Sequence, residues 1–171
     1  LLNSATRAVS AFTPSRREMI DAIVRAAKES GDQAIAGPRG DGKTRSAIFT
    51  GLWLAITGLS TFPMVISKSG ERSEFELRNI KWALKSSTTF AEDFPELAVP
   101  IEAIGGWASR ARQMTVYGHA VDMEWSTNSI AFPTISTALL RENGWNEDLD
   151  SIAQGQMFVS LGIEGPIRGY N

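Results

Sequence analysis

Apolar residues recur at helical spacing in three stretches of the chain and at strand-like spacing in several others. Met19, Ile20, Ile23, Val24 and Ala27 share one face of a segment that Thr13 or Ser15 can cap, and Gly31-Asp32 ends it, which predicts a helix to about residue 30. Residues 33–36 are short, mostly apolar and bounded by turn residues, so they read as a buried strand. A second helix is expected over residues 43–57 with Ile48, Leu52, Ala55 and Ile56 facing inward. Residues 62–67 read as another buried strand, Gly70 breaks it, and residues 71–86 return to a helix carrying Phe75, Leu77, Ile80 and Leu84. Strand, helix, strand, helix favours a parallel sheet with right-handed crossovers.

From Met114 the period shortens. Residues 114–117 and 121–125 are expected to pair as strands, and residues 126–129 form a turn before a further short run at 130–133, which together suggest a hairpin or meander. Residues 136–155, with Asn143-Gly144 and the acidic cluster Glu147, Asp148 and Asp150, look like an exposed excursion, and residues 156–163 return as a strand. No repeat or linker divides the chain, so residues 1–171 are expected to form one domain.

Composition narrows the function classes. The 171 residues include no Cys and one His, which excludes a disulfide scaffold and a Cys-ligated metal site. No apolar run approaches the ~18 residues of a membrane span, and nothing at the amino end reads as a signal peptide. The expectation is a cytoplasmic protein that is neither secreted nor membrane-bound. A net charge of −2 argues against a stand-alone cationic nucleic-acid binder. The charge is uneven, with 15 basic and 12 acidic side chains up to residue 112 and 2 and 7 beyond it, so a polyanion would meet the first part.

Residues 37–44, Gly37-Pro38-Arg39-Gly40-Asp41-Gly42-Lys43-Thr44, satisfy Gly-x-x-x-x-Gly-Lys-Thr in full and lie between a predicted strand and a predicted helix. Glycines at 37, 40 and 42 let the backbone wrap so that its N–H groups point at phosphate oxygens, and the positive end of the next helix reinforces the anion site. Lys43 would lie between the β- and γ-phosphates, and the Thr44 hydroxyl would be a ligand of Mg²⁺. The expected fold is therefore an α/β P-loop NTPase of the RecA or additional-strand type: a mainly parallel sheet flanked by helices, with a β-hairpin excursion in the last third. Its cofactors would be ATP and Mg²⁺, bound by all eight residues from 37 to 44. Hydrolysis also needs an acid on a second buried strand. Residues 158–164, ending in Glu164, are the nearest candidate, but Ser160 and Gly162 interrupt the apolar run.

The phosphate loop is followed by Val65-Ile66-Ser67-Lys68-Ser69-Gly70-Glu71 leading into Leu77-Arg78-Asn79-Ile80-Lys81. Later come Glu124-Trp125-Ser126, then Ile130-Ala131-Phe132-Pro133, and finally Gly162-Ile163-Glu164-Gly165-Pro166-Ile167-Arg168-Gly169. In this order and spacing, over roughly residues 12–170, the chain resembles the ATPase half of the large terminase subunits of tailed bacteriophages and prophages. The resemblance implies a DNA-packaging motor that couples ATP hydrolysis to translocation of double-stranded DNA in a bacterial host cell, with the portal and the small terminase subunit as partners. It also implies that the chain is a piece, stopping before the metal-binding acidic strand and without the nuclease domain, so that it binds nucleotide while its turnover is in question. Arg39 matches the family's loop arginine, which would act with Lys43 on the γ-phosphate; a solvated arginine, or one paired with Asp41, is the alternative. In the family's adenine-contacting segment this chain has no Gln, leaving Phe12 or Arg16 as contacts, or a plain helix cap at Thr13-Pro14-Ser15. Two other readings stay open: a different P-loop NTPase such as a helicase, and a nucleotide- or anion-binding module without turnover.

The remaining polar residues have simpler explanations. His119 is expected at a surface or strand edge, and Asp122 and Glu124 on a solvated strand face. Trp53, Trp82, Trp107, Trp125 and Trp145 suit core or rim packing, with Trp107 beside Ser109, Arg110 and Arg112 as a possible DNA contact. Arg72, Arg78, Lys81 and Lys85, interleaved with Glu71, Glu74 and Glu76, read as a solvated ion-pair face.

Overall fold

The computed structural model describes residues 13–105, 114–145 and 153–163. Phe12, Trp107 with its neighbouring Arg110 and Arg112, the acidic residues 147–150, Glu164 and the segment 165–169 lie outside the described residues.

Thr13 caps α1 (Pro14–Glu29) by accepting the Arg16 amide on its hydroxyl, and Pro14 opens the helix where its missing N–H costs nothing. Only Met19 of its apolar face is buried; the rest of the stripe is half-covered. α2 (Lys43–Ile56) is the opposite case, with Ile48, Phe49, Leu52, Leu54, Ala55 and Ile56 all buried. β1 (Met64–Ser67) leads into α3 (Gly70–Ser86), which Ser69 caps and which buries Leu77, Ile80, Ala83 and Leu84.

Two short helices follow that the polar pattern hides: α4 (Thr88–Asp93) and α5 (Pro95–Ala103). Ser87 caps α4, Pro95 opens α5, and Phe90, Leu97 and Ile101 are their buried anchors. β2 (Met114–Val116), β3 (His119–Trp125) and β4 (Ser129–Thr134) form an antiparallel meander. α6 (Thr137–Asn143) then precedes β5 (Met157–Gly162). The segment read as an exposed excursion therefore carries a helix whose Leu139 and Leu140 are fully buried.

The five strands form one sheet in the order β1-β5-β4-β3-β2. Only β1 and β5 are parallel; the β5–β4, β4–β3 and β3–β2 pairs are antiparallel, so the sheet is mixed rather than mainly parallel. The reason lies in the chain order. The meander is complete before β5 forms, and β5 then inserts between β1 and β4, with Phe158, Val159 and Ser160 buried. At its end Gly162 passes so close to the start of α3 that a Cβ there would lie 2.3 Å from the Gly70 backbone nitrogen, and only glycine fits. No described helix is long and apolar enough to cross a membrane.

The strand expected at residues 33–36 is not formed. All four residues are exposed, and Ile35, their one large apolar side chain, is 38% exposed. Two of the four are alanines, which have little side chain to pack on a sheet, and Pro38 just beyond has no N–H to extend a ladder.

Two buried charges mark the periphery of the core. Lys81 donates to the Ser126 carbonyl in the β3–β4 turn, and its ammonium lies 5.2 Å from the centre of the Trp125 ring, with Lys85 at 5.5 Å. Desolvation pulls its amine down to about 8, Glu124 pulls it partly back, and Lys85 pushes it further down. Glu96, in the first turn of α5, is 4% exposed, and neither oxygen has a hydrogen-bond partner among the described residues. Burial raises its carboxyl pKa, offset in part by its own nearby backbone N–H.

Two stability predictions follow from opposite signs. Because the Lys81 amine in the fold titrates below its ordinary 10.5, its contribution to stability is present above that pH and is lost as the pH falls through about 8. Urea titrations should therefore show the wild type gaining about 1–3 kcal/mol on Lys81→Met between pH 8 and 10.5. The raised Glu96 carboxyl contributes stability that is present below the ordinary carboxylate range and is lost as the pH rises through its raised value. Glu96→Met should stabilise the fold by about 1–3 kcal/mol at pH 8 and by less at pH 5, measured the same way.

Candidate functional site

The phosphate-loop sequence forms a loop without a strand behind it. Its shape comes from its own glycines and from two charged donors. Gly40 has φ +91° and Gly42 φ +74°, left-handed conformations that side chains resist. Gly42 is also the N-cap of α2, where no side chain caps the helix, so the first-turn amides face outward as donors for an anion.

Lys43 folds back over the loop and donates its ammonium to the carbonyls of Gly37, at 2.7 Å, and Pro38, at 2.5 Å. A Cβ on Gly37 would lie 3.3 Å from the Lys43 side chain, so glycine gives the stem room to curl. From α1, Arg16 Nε donates to the Asp41 carbonyl at 3.1 Å and fixes the loop's far end. The Thr13-Pro14-Ser15 segment is thus a helix cap, and the Arg16 after it is a loop clamp. A Cβ on Gly42 would come within 3.1 Å of the Arg16 guanidinium.

The loop opens onto a cleft of about 510 Å³. Arg39, Gly40, Gly42, Lys43 and Thr44 line one side, so the structure brings together most of the residues named from sequence. Gly37 and Pro38 contribute through their carbonyls behind Lys43, and Asp41 through the carbonyl that takes Arg16. Arg39 and Thr44 are exposed, free of the core and open to a ligand.

The opposite wall is one face of α3: Arg72, Phe75, Glu76 and Asn79. The polar pattern suggested a solvated ion-pair face here, and the structure corrects that. Glu76 is only 8% exposed. One of its oxygens is paired with Arg72, and the other accepts from Asn79 Nδ2 at 3.4 Å. Arg72 also covers the exposed Phe75 ring at 5.4 Å. Positions 72, 75, 76 and 79 follow the helical repeat, and the aromatic residue on an otherwise polar face was the available sign that this face has a neighbour.

These donors fit the phosphates of a nucleotide: uncapped amides, an ammonium, and an arginine at the cleft. Among the described residues there is no group of three or more His, Cys, Asp and Glu that could cage a metal. A Mg²⁺ here would fit as phosphate-borne, with the Thr44 hydroxyl as a protein ligand and water completing the shell. His119 bonds Glu142 at 2.9 Å on the far side of the sheet order and takes no part. Asp122 and Glu124 border a separate groove at a β-bulge, where Glu124 accepts from the Ser129 hydroxyl. Trp125 is core, Trp145 packs against the core, Trp53 is half-buried, and Trp82 is 46% exposed.

No family model, curated protein or solved structure matches the chain.

Gly42→Ala should lower stability by about 1–2 kcal/mol, because it adds a side chain at a left-handed residue and displaces the Arg16 clamp. Thermal unfolding of the two proteins measures it; equal midpoints would mean that the loop does not need this conformation.

Proposed function

We propose that this chain is the ATP-binding part of a P-loop motor, and that the motor is the large terminase of a tailed bacteriophage or prophage, moving double-stranded DNA. The observation that carries the reading is the Lys43 ammonium held by the Gly37 and Pro38 carbonyls at the uncapped start of α2, facing a cleft. An ammonium satisfied only by neutral carbonyls gains when anionic phosphate oxygens replace them, because charge-assisted hydrogen bonds are roughly twice as strong as neutral ones. The order of the remaining motifs, from Val65 to Gly169, supports the terminase assignment over a generic P-loop protein.

In this reading, the loop amides and Lys43 bind the β- and γ-phosphates, Arg39 neutralises charge that builds on the γ-phosphate, and Thr44 presents its hydroxyl to Mg²⁺. The cation, when bound, neutralises phosphate charge. Portal and small terminase subunit are the partners of the assembled motor, and DNA is its cargo.

Titration with ATP–Mg²⁺ tests the proposal. The wild type should bind, and Lys43→Ala should bind at least about tenfold more weakly, since one charge-assisted contact to phosphate is lost. Absence of binding by the wild type would refute the reading.

A further inference from the structure

Across the cleft from the phosphate loop stands a carboxylate that no motif predicts. Among the residues lining that cleft, Glu76 is the only acid. It is buried to 8% exposure although it sits on the polar side of α3, and both its oxygens are held, one by Arg72 and one by Asn79. A carboxylate fixed in this way costs little reorganisation when a reacting group meets it. The core side of the same helix, Leu77, Ile80 and Leu84, holds the backbone that carries it.

We propose that Glu76 is the catalytic carboxylate of this cleft, orienting the water that attacks the γ-phosphate of a nucleoside triphosphate. The inference rests on the ATP-binding reading above and names the residue that would give it turnover. In the step, the water oxygen forms a bond to Pγ while the bond from Pγ to the β,γ-bridging oxygen breaks, its electron pair leaving with the nucleoside diphosphate. One proton of the water passes to a Glu76 oxygen and from there to the released phosphate or to solvent. Such a transition state is loose, so a positioned acceptor matters more than a strong base. The Arg72 pairing suits that role: it steers one oxygen and leaves the carboxylate anionic. Phosphate release from a metal-binding acid elsewhere in the chain would not depend on α3 at all.

The test uses the full chain with ATP–Mg²⁺, measuring binding by titration, stability by thermal unfolding, and single-turnover phosphate release. Glu76→Gln keeps the shape and both neighbours. It should bind ATP–Mg²⁺ within about threefold of the wild type, melt within a few degrees of it, and release phosphate about 100-fold more slowly or worse. Asn79→Leu keeps the carboxylate but frees one oxygen and should slow release by about tenfold; it decides the matter if Glu76→Gln does not fold. Release by Glu76→Gln within threefold of the wild type would overturn the role, as would loss of its ATP binding, or Asn79→Leu at the wild-type rate where that variant has to decide. A wild type that binds ATP but releases no phosphate would overturn Glu76 alone and leave the binding reading standing. A wild type that binds no ATP would overturn both.

Discussion

The phosphate loop of this protein keeps its shape through two cations. In a loop backed by a paired strand, the ladder fixes the entry point; here residues 31–40 are exposed and unpaired, and the loop depends instead on Lys43 at its centre and Arg16 at its end. Lys43 gathers the carbonyls of Gly37 and Pro38, and Arg16 holds that of Asp41. The left-handed glycines at 40 and 42 then bend the chain into the start of α2. Each of these contacts serves two ends. It closes the loop when no anion is present, and it keeps the amide donors and the ammonium near one another for an anion to find. Lys43 must change partners for phosphate to bind, whereas Arg16 need not, so the clamp and the ligand contact are separate residues with separate costs.

The sheet shows how far strand order along the chain can mislead. Alternation of strands and helices in the first half correctly places β1 after α2 and before α3, and that is where parallel logic ends. The single parallel pair, β1 with β5, is made by the last strand described and not by consecutive ones. The meander β2–β4 is hairpin-connected and therefore antiparallel, and it supplies three of the five strands. No local pattern encodes that β5 will insert between β1 and β4. Its apolar run of Phe158 and Val159 shows burial on both faces but not the identity of its neighbours.

Helix boundaries were legible because their physics is local. Thr13-Pro14 and Ser69 are side-chain caps, Gly42 is a left-handed entry, and the apolar stripes of α2 and α3 fall on the faces that the core covers. The Gly-x-x-x-x-Gly-Lys-Thr residues were equally legible, since the pattern names them directly. The strand at residues 33–36 failed because boundary residues and a few apolar side chains do not create a partner, and a strand needs one. Glu76 and Lys81 were hidden for the converse reason. Both read as members of a charged, solvated face, and both are buried by elements distant in sequence: the phosphate loop covers one, the β3–β4 turn the other. A helical wheel gives the direction of a side chain but not what lies there.

These two contacts give α3 its particular place. Its first half presents Arg72, Glu76 and Asn79 to the cleft, while its second half ties Lys81 to the Ser126 carbonyl and lays Lys81 and Lys85 beside Trp125. Its start is pinned against Gly162 at the end of β5, where there is no room for a Cβ. A helix fixed at its start and bound at both halves moves as a rigid body or not at all, because packed interiors shift between discrete arrangements rather than deforming. Any displacement of Glu76 and Arg72 by a phosphate in the cleft is therefore transmitted along α3 to the β3–β4 turn. That turn lies at one end of the antiparallel part of the sheet, so the meander is the part of the described structure mechanically closest to the cleft through α3.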